Sequence, residues 1–316
     1  MRTGYDNVQN RTAVKIISIA VAVCCTLSFA APALSATHRV KHHSRHVQKA
    51  GAPARVPTAG PEGLGLTASS VLVLDQQEGR LLYQKNSEAV YPIASITKLM
   101  TAMVTLDYQT PLEEKLMVDE ADVDAIKHTG SRLSVGTVLT RYELLHLALM
   151  SSENRAAAAL SRSSPGGREA FIATMNHKAA ELGMSNTHFV EGIGLSRQNV
   201  STAADLAKMV QAAYAYPLIR EFTTQAAHYV TLDSGHTLEY RNSNALVRAG
   251  QWQIGLSKTG YIAEAGRCLV MQAEIAAKPV VIVLLHAWDS KARAADALRI
   301  KKWVETRAAL HMAQSM

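Results

Sequence analysis

Tyr91-Pro-Ile-Ala-Ser95-Ile-Thr-Lys98-Leu-Met100 is the stretch on which the reading of this chain turns. From Ser95 onward, Ile96, Leu99, Met100, Met103 and Val104 recur at steps of three and four, which predicts a buried amphipathic helix with Ser95 at its N-terminal end. A serine hydroxyl is a poor nucleophile until a neighbouring base takes its proton. A lysine can be that base only when burial or a second cation lowers its ammonium pKa. Ser95 and Lys98 fall on one helix face within a single turn, where free backbone N–H groups can also stabilise an anionic oxygen. Taken alone the pair decides nothing, because a serine three residues before a lysine is expected about once by chance in such a chain.

Two more polar clusters change that. Ser152-Glu153-Asn154 occupies a short break between helical stretches, where a second hydroxyl and an amide can relay a proton and hold a carbonyl. By itself it also reads as an ordinary loop and helix N-cap. Lys258-Thr259-Gly260 ends an apolar, strand-like run, placing a cation and a hydroxyl where they can meet a carboxylate, with a glycine that permits close backbone approach. Its plain alternative is a strand end with a snorkelling lysine. Each pattern occurs once, and their joint occurrence in this order by accident is on the order of one in a thousand.

Together these clusters resemble the Ser-x-x-Lys, Ser-x-Asn and Lys-Thr-Gly signature of penicillin-binding proteins and serine β-lactamases. The flanking text, Tyr91 to Met100, Ala148-Leu-Met-Ser-Ser-Glu-Asn-Arg-Ala-Ala and Gly194-Leu-Ser with Val200-Ser-Thr-Ala, is similar to the low-molecular-mass D-alanyl-D-alanine peptidases. In particular it resembles their endopeptidase subgroup, over roughly Leu64 to Ala308. The resemblance implies an α/β (α+β) fold of the β-lactamase and DD-peptidase type: an antiparallel five-stranded sheet with flanking helices and a helical subdomain. It also implies roles. Ser95 attacks the carbonyl of the penultimate D-alanine, Lys98 takes its proton, and Ser152 with Asn154 assists proton transfer and positions substrate. Lys258 and Thr259 bind the terminal carboxylate, and Gly260 leads into Tyr261, whose backbone N–H joins that of Ser95 as an oxyanion hole. No metal or cofactor is expected. Peptidoglycan muropeptides are the expected substrates, and β-lactams the expected covalent inhibitors. Two departures stand out: Glu191-Gly192 where the family often has an acidic or amide residue before proline, and Ala204 where arginine is usual.

Three rivals differ in testable ways. A class A β-lactamase needs a deacylating glutamate, usually in a Glu-x-x-x-Asn segment between the second and third motifs. None of Glu153, Glu169, Glu181, Glu191, Glu221 or Glu239 has asparagine four residues on. A wall-binding module that had lost catalysis would lack a motif residue, and all are present. A D-alanyl-D-alanine carboxypeptidase shares every catalytic residue. The endopeptidase is the preferred expectation because little chain follows the last helix, read to end near Ala309, to form the C-terminal β domain and membrane-binding helix of typical carboxypeptidases.

The rest of the chain reads around these motifs. Val71 to Leu74 and Leu81 to Gln84 flank turn residues as a hairpin. Thr140 and Glu143 form a capping-box pattern ahead of a helix to Met150. Helices are expected over Arg155 to Arg162, Arg168 to Leu182, from a Ser201 cap to near Pro217, and over Ala292 to Ala309. A hairpin over Tyr229 to Leu232 and Leu238 to Tyr240 precedes β-rich runs at Trp252 to Thr259, Arg267 to Glu274 and Val280 to His286, an antiparallel meander.

Ahead of all this, Arg2, Arg11 and Lys15 precede an apolar run from Ile16 to Leu27 and small residues to Ala36. Residues 1–36 are therefore expected to be a secretory signal peptide, cut between Ala33 and Thr37, and the mature form to lack a transmembrane anchor. The location that follows is the periplasm. Val23 before Cys24 is too bulky for a lipoprotein cleavage site, and the only cysteine beyond the signal is Cys268, so no internal disulfide is expected. Of the formal charge of +7, residues 1–36 supply +2 and residues 37–56 supply +5, so the remainder is close to neutral. A neutral body argues against nucleic acid as a partner. Residues 37–62, with His38, His42, His43 and His46 among Ala, Pro and Gly, read as a basic flexible linker rather than a metal tract, and residues 63–316 as the catalytic domain.

Overall fold

The computed structural model describes residues 64–314, so the leader and linker assigned to residues 1–62 lie outside the described residues. The first hairpin is β1 (Ser70–Asp75) and β2 (Arg80–Lys85). After the short β3 (Tyr91–Pro92) comes α1 (Thr97–Asp107), then the two-stranded ribbon of β4 (Lys115–Met117) and β5 (Val138–Thr140). The helical middle holds α2 (Arg141–Met150), α3 (Asn154–Arg162) and α4 (Gly167–Glu181). It continues through β6 (Val200–Ser201), α5 (Ala203–Tyr214) and α6 (Pro217–Thr224). The β7 (Ala227–Thr231) and β8 (Thr237–Arg241) hairpin and α7 (Ala245–Ala249) lead into β9 (Ile254–Ile262), β10 (Gly266–Ile275) and β11 (Lys278–Ala287). The last helix is α8 (Ser290–Gln314).

The expected five-stranded antiparallel sheet is present, in the order β2-β1-β11-β10-β9. The N-terminal hairpin and the C-terminal meander are parts of one sheet, joined where β1 pairs with β11. Side chains alternate across a strand, and here both faces are covered, so both sets are apolar. Cys268, Val270, Val281, Val283 and Leu285 face the helical body, whereas Leu269, Met271, Val280, Ile282 and Leu284 pack on Ala297, Ile300 and Val304 of α8. Asp296 of α8 is wholly buried and accepts the N–H groups of Thr67 and Ala68 and the Thr67 hydroxyl, tying the start of the domain to its last helix. Cys268 is buried and free.

Several boundaries differ from expectation for local reasons. Thr202, not Ser201, caps α5 by accepting the Asp205 N–H, and the Ser201 hydroxyl pairs with Thr187 instead. Thr140 accepts the Glu143 N–H, but the reciprocal half of the capping box is not formed. The final helix runs beyond Ala309 to Gln314. Pro217 starts α6 at its first turn, where its missing N–H costs nothing. Among the described residues no helix is long and apolar enough to cross a membrane.

The face packed against α8 sets a simple test. Leu284→Ala leaves a cavity between sheet and helix, and its unfolding free energy in urea should fall by about 2–5 kcal/mol. A change near zero would mean that α8 does not close this layer.

Candidate active site

Ser95 sits in a 3-10 turn, Ala94–Ile96, just ahead of α1 rather than inside the helix. The preceding Ala94 has φ +48, a left-handed conformation that L side chains rarely adopt. Gly194 explains what holds it there. A Cβ on Gly194 would lie 2.1 Å from the Ala94 carbonyl oxygen, so only glycine allows this loop to press on the turn. Gly260 presses from the other side: a Cβ there would lie 2.9 Å from the Ile93 carbonyl and 3.1 Å from the Ser95 nitrogen. Gly260, expected as a place of close backbone approach, is thus pressed against the turn that carries Ser95.

Lys98, one turn along on the inward face, is 1% exposed. Its Nζ lies 2.9 Å from Ser95 Oγ, 2.9 Å from Asn154 Oδ1 and 2.6 Å from the Ile193 carbonyl. Burial pushes its ammonium down from 10.5 to about 8, against Glu191, Glu153 and Asp124, whose negative charges favour the proton. Lys258, also buried, is pushed well below the usual lysine range by desolvation and then by the charges of Lys98 and Arg293.

The second motif spans the break between α2 and α3. Ser152 is left-handed, φ +65, and its hydroxyl accepts a hydrogen bond from Lys258 Nζ at 2.8 Å. Asn154 gives its carbonyl to Lys98 and donates through Nδ2 to Thr129 Oγ1 at 2.9 Å. On β9, the edge strand of the sheet, Thr259 Oγ1 donates to Ser243 Oγ at 2.7 Å. Contacts thus gather Ser95, Lys98, Ser152, Asn154, Lys258, Thr259 and Gly260 into one cluster, and Tyr261, next along β9, is 52% exposed.

Four participants escaped the sequence reading. Ser243 and Thr129 extend the hydroxyl and amide contacts, and neither lies in a recognisable motif. The Ile193 carbonyl is backbone and leaves no residue signature. Glu191, noted only as a departure, is 9% exposed and accepts the N–H groups of Ile193, Gly194, Leu195 and Ser196. Four N–H groups on one carboxylate fix the loop that carries the Ile193 carbonyl and Gly194.

With this geometry in place, the comparisons are specific. Residues 56–289 match the model of the family described as D-alanyl-D-alanine carboxypeptidase. The chain is 46% identical over 252 residues to a D-alanyl-D-alanine endopeptidase of Pseudomonas aeruginosa, covering 79% of this chain and 81% of that one. It is 46% identical to the Escherichia coli protein of the same description, covering 76% and 78%. Among solved structures, the Streptomyces K15 DD-transpeptidase matches with a TM-score of 0.69 and 29% identity over 75% of this chain and 97% of that one. A penicillin-binding protein of Listeria monocytogenes in its ampicillin-bound form matches with a TM-score of 0.66 and 30% identity, covering 76% and 98%. The chain belongs to the D-alanyl-D-alanine carboxypeptidase family of serine-type peptidases.

The buried lysine makes a prediction about stability. Its folded pKa, about 8, lies below its ordinary value of 10.5, so between these pH values the unfolded chain binds more protons. Stability gained from this group therefore rises with pH across that window, and below it the buried charge is a penalty. Lys98→Met should be at least as stable as the parent near pH 7, and should show a smaller rise in urea midpoint from pH 7.5 to 9.5 than the parent. An unchanged rise would mean that Lys98 does not titrate there.

Proposed function

We propose that this protein is a D-alanyl-D-alanine endopeptidase that opens peptidoglycan cross-links through an acyl-enzyme on Ser95 and is covalently inhibited by β-lactams. The observation that carries the reading is the buried Lys98 amine 2.9 Å from the Ser95 hydroxyl. A neutral amine has two N–H donors and one lone pair. With the donors spent on Asn154 Oδ1 and the Ile193 carbonyl, the lone pair is left facing Ser95, the arrangement a general base requires.

In this reading Ser95 attacks the carbonyl of the penultimate D-alanine as Lys98 takes its proton. The Ser95 and Tyr261 N–H groups receive the oxyanion. Ser152 passes its proton to the departing amine and takes a replacement from Lys258, to which it is bonded, and Asn154 holds the donor peptide. Lys258 and Thr259, with Ser243, receive the carboxylate of the departing residue. That carboxylate favours the charged form of Lys258, and a cation there favours proton loss from Lys98. Stable acylation by β-lactams is supported by the missing Glu-x-x-x-Asn segment and by Glu191, whose two oxygens are both occupied by backbone N–H groups. Residues 1–36 as a signal peptide and 37–62 as a basic linker place residues 63–316 in the periplasm, where this substrate lies.

Endopeptidase rather than carboxypeptidase action is supported by the shared description of the two relatives at 46% identity. The test is the product formed from a purified cross-linked muropeptide dimer. Two monomers should appear, their release should stop after labelled penicillin has reacted, and Ser95→Ala should neither cleave nor take the label. Free D-alanine from pentapeptide monomers with dimers left intact would make the protein a carboxypeptidase. Label on Ser95→Ala would displace the nucleophile.

A further inference from the structure

The break that carries the second motif is gripped by the loop between β4 and β5. Glu153 accepts the Ser131 hydroxyl at 2.6 Å, and Arg155 Nη1 donates to the Leu133 carbonyl at 2.7 Å. Asn154, between them, meets the same loop at Thr129. Thr129 is bonded in turn to Asp124, a buried carboxylate. One Asp124 oxygen accepts the Ile126 and Lys127 N–H groups at 2.8 and 3.0 Å. The other accepts the Thr129 N–H and hydroxyl, both at 2.8 Å. Burial opposes the Asp124 charge, but the N–H groups of Thr129 and Lys127 outweigh it and hold the carboxyl below its usual range. An unbroken chain of hydrogen bonds therefore joins Asp124, Thr129, Asn154 and Lys98, its last two links at 2.9 Å each.

Each link has a direction. An ionised carboxylate can only accept, so the Thr129 hydroxyl proton is committed to Asp124 and the Thr129 oxygen is left to accept. What it accepts is an amide hydrogen, which turns the Asn154 NH2 toward Thr129 and its carbonyl toward Lys98. The reverse orientation would present N–H groups to Lys98. It would leave one ammonium proton without an acceptor and, on the neutral amine, would compete with Ser95 for the lone pair. Thr129 is exposed, and a water in its place could donate or accept and would not choose between the two.

We propose that Asp124 and Thr129 are positioning residues for the general base: by fixing which end of the Asn154 amide faces Lys98, they keep the amine lone pair for Ser95. This rests on the peptidase reading above. Neither residue touches the reacting atoms, and both act through Asn154. The amide NH2 has a second hydrogen, which is the one available to a carbonyl of the donor peptide. The same orientation therefore serves the base and the substrate.

The experiment follows single-turnover acylation of Ser95 by a labelled penicillin across pH in the parent and in variants of Thr129. Thr129→Val removes the hydroxyl and keeps the shape, while Glu153 and Arg155 still hold the loop. Its limiting rate at high pH should fall about tenfold, the size of one lost hydrogen bond. Its midpoint should also move down from about 8, by about half a pH unit, because the ammonium form loses a fixed acceptor. Thr129→Ser keeps the chain of hydrogen bonds and should recover most of both changes. Thermal melting reports folding, and Thr129→Ala repeats the test if the valine variant melts early. A merely structural role would slow acylation without lowering the midpoint. An unchanged rate, a midpoint unmoved or raised, or a serine variant as slow as the valine one would overturn the proposal. The parent separates the two readings: label on parent Ser95 with unaltered Thr129 variants sinks only the positioning role, whereas no label on the parent sinks the peptidase.

Discussion

One buried ammonium organises this molecule. Lys98 Nζ touches Ser95 of the Ala94–Ile96 turn, Asn154 at the start of α3 and the Ile193 carbonyl of the loop before β6, so three separate stretches of chain meet on one nitrogen. Placing a lysine charge there is unfavourable unless every proton has an acceptor, and all three do. Removing one proton turns the same geometry into a base with its lone pair on the serine. The site therefore does not need to rearrange between its resting and reactive forms.

Holding that geometry demands backbone conformations that are unfavourable in isolation. Ala94 and Ser152 are both left-handed, and such residues cost on the order of 1–3 kcal/mol each. The strain at Ala94 is sustained by its neighbours: Gly194 and Gly260 approach the Ala94–Ile96 turn more closely than a side chain would permit. Gly260 in turn belongs to β9, which is registered against β10 in a sheet buried on both faces. The Glu191 carboxylate does for the 193–196 loop what β10 does for β9, fixing backbone by hydrogen bonds. Active-site precision here is a property of sheet, turn and loop together.

Much of this was legible in residues. The apolar periodicities of α1, α2 and the β9–β11 meander follow from packing, and packing leaves its period in the sequence. The three motifs marked Ser95, Lys98, Ser152, Asn154, Lys258 and Thr259 because rare polar residues in a fixed order are a strong signal. What was not legible acts through backbone or through long range. The Ile193 carbonyl has no side-chain signature, and Ser243 and Thr129 are ordinary hydroxyls made special by neighbours 16 and 25 residues away. Gly260 was recognised as a place of close approach, but what approaches could be seen only in three dimensions.

The proton on Lys98 is the point on which everything else depends, and the rate of Ser95 acylation reads it directly. Single-turnover acylation by a labelled penicillin, followed from pH 6 to 11, should accelerate as pH rises through a midpoint near 8, the value burial gives this lysine. A midpoint near the ordinary 10.5, or a rate indifferent to pH, would mean that Lys98 is not the base that activates Ser95.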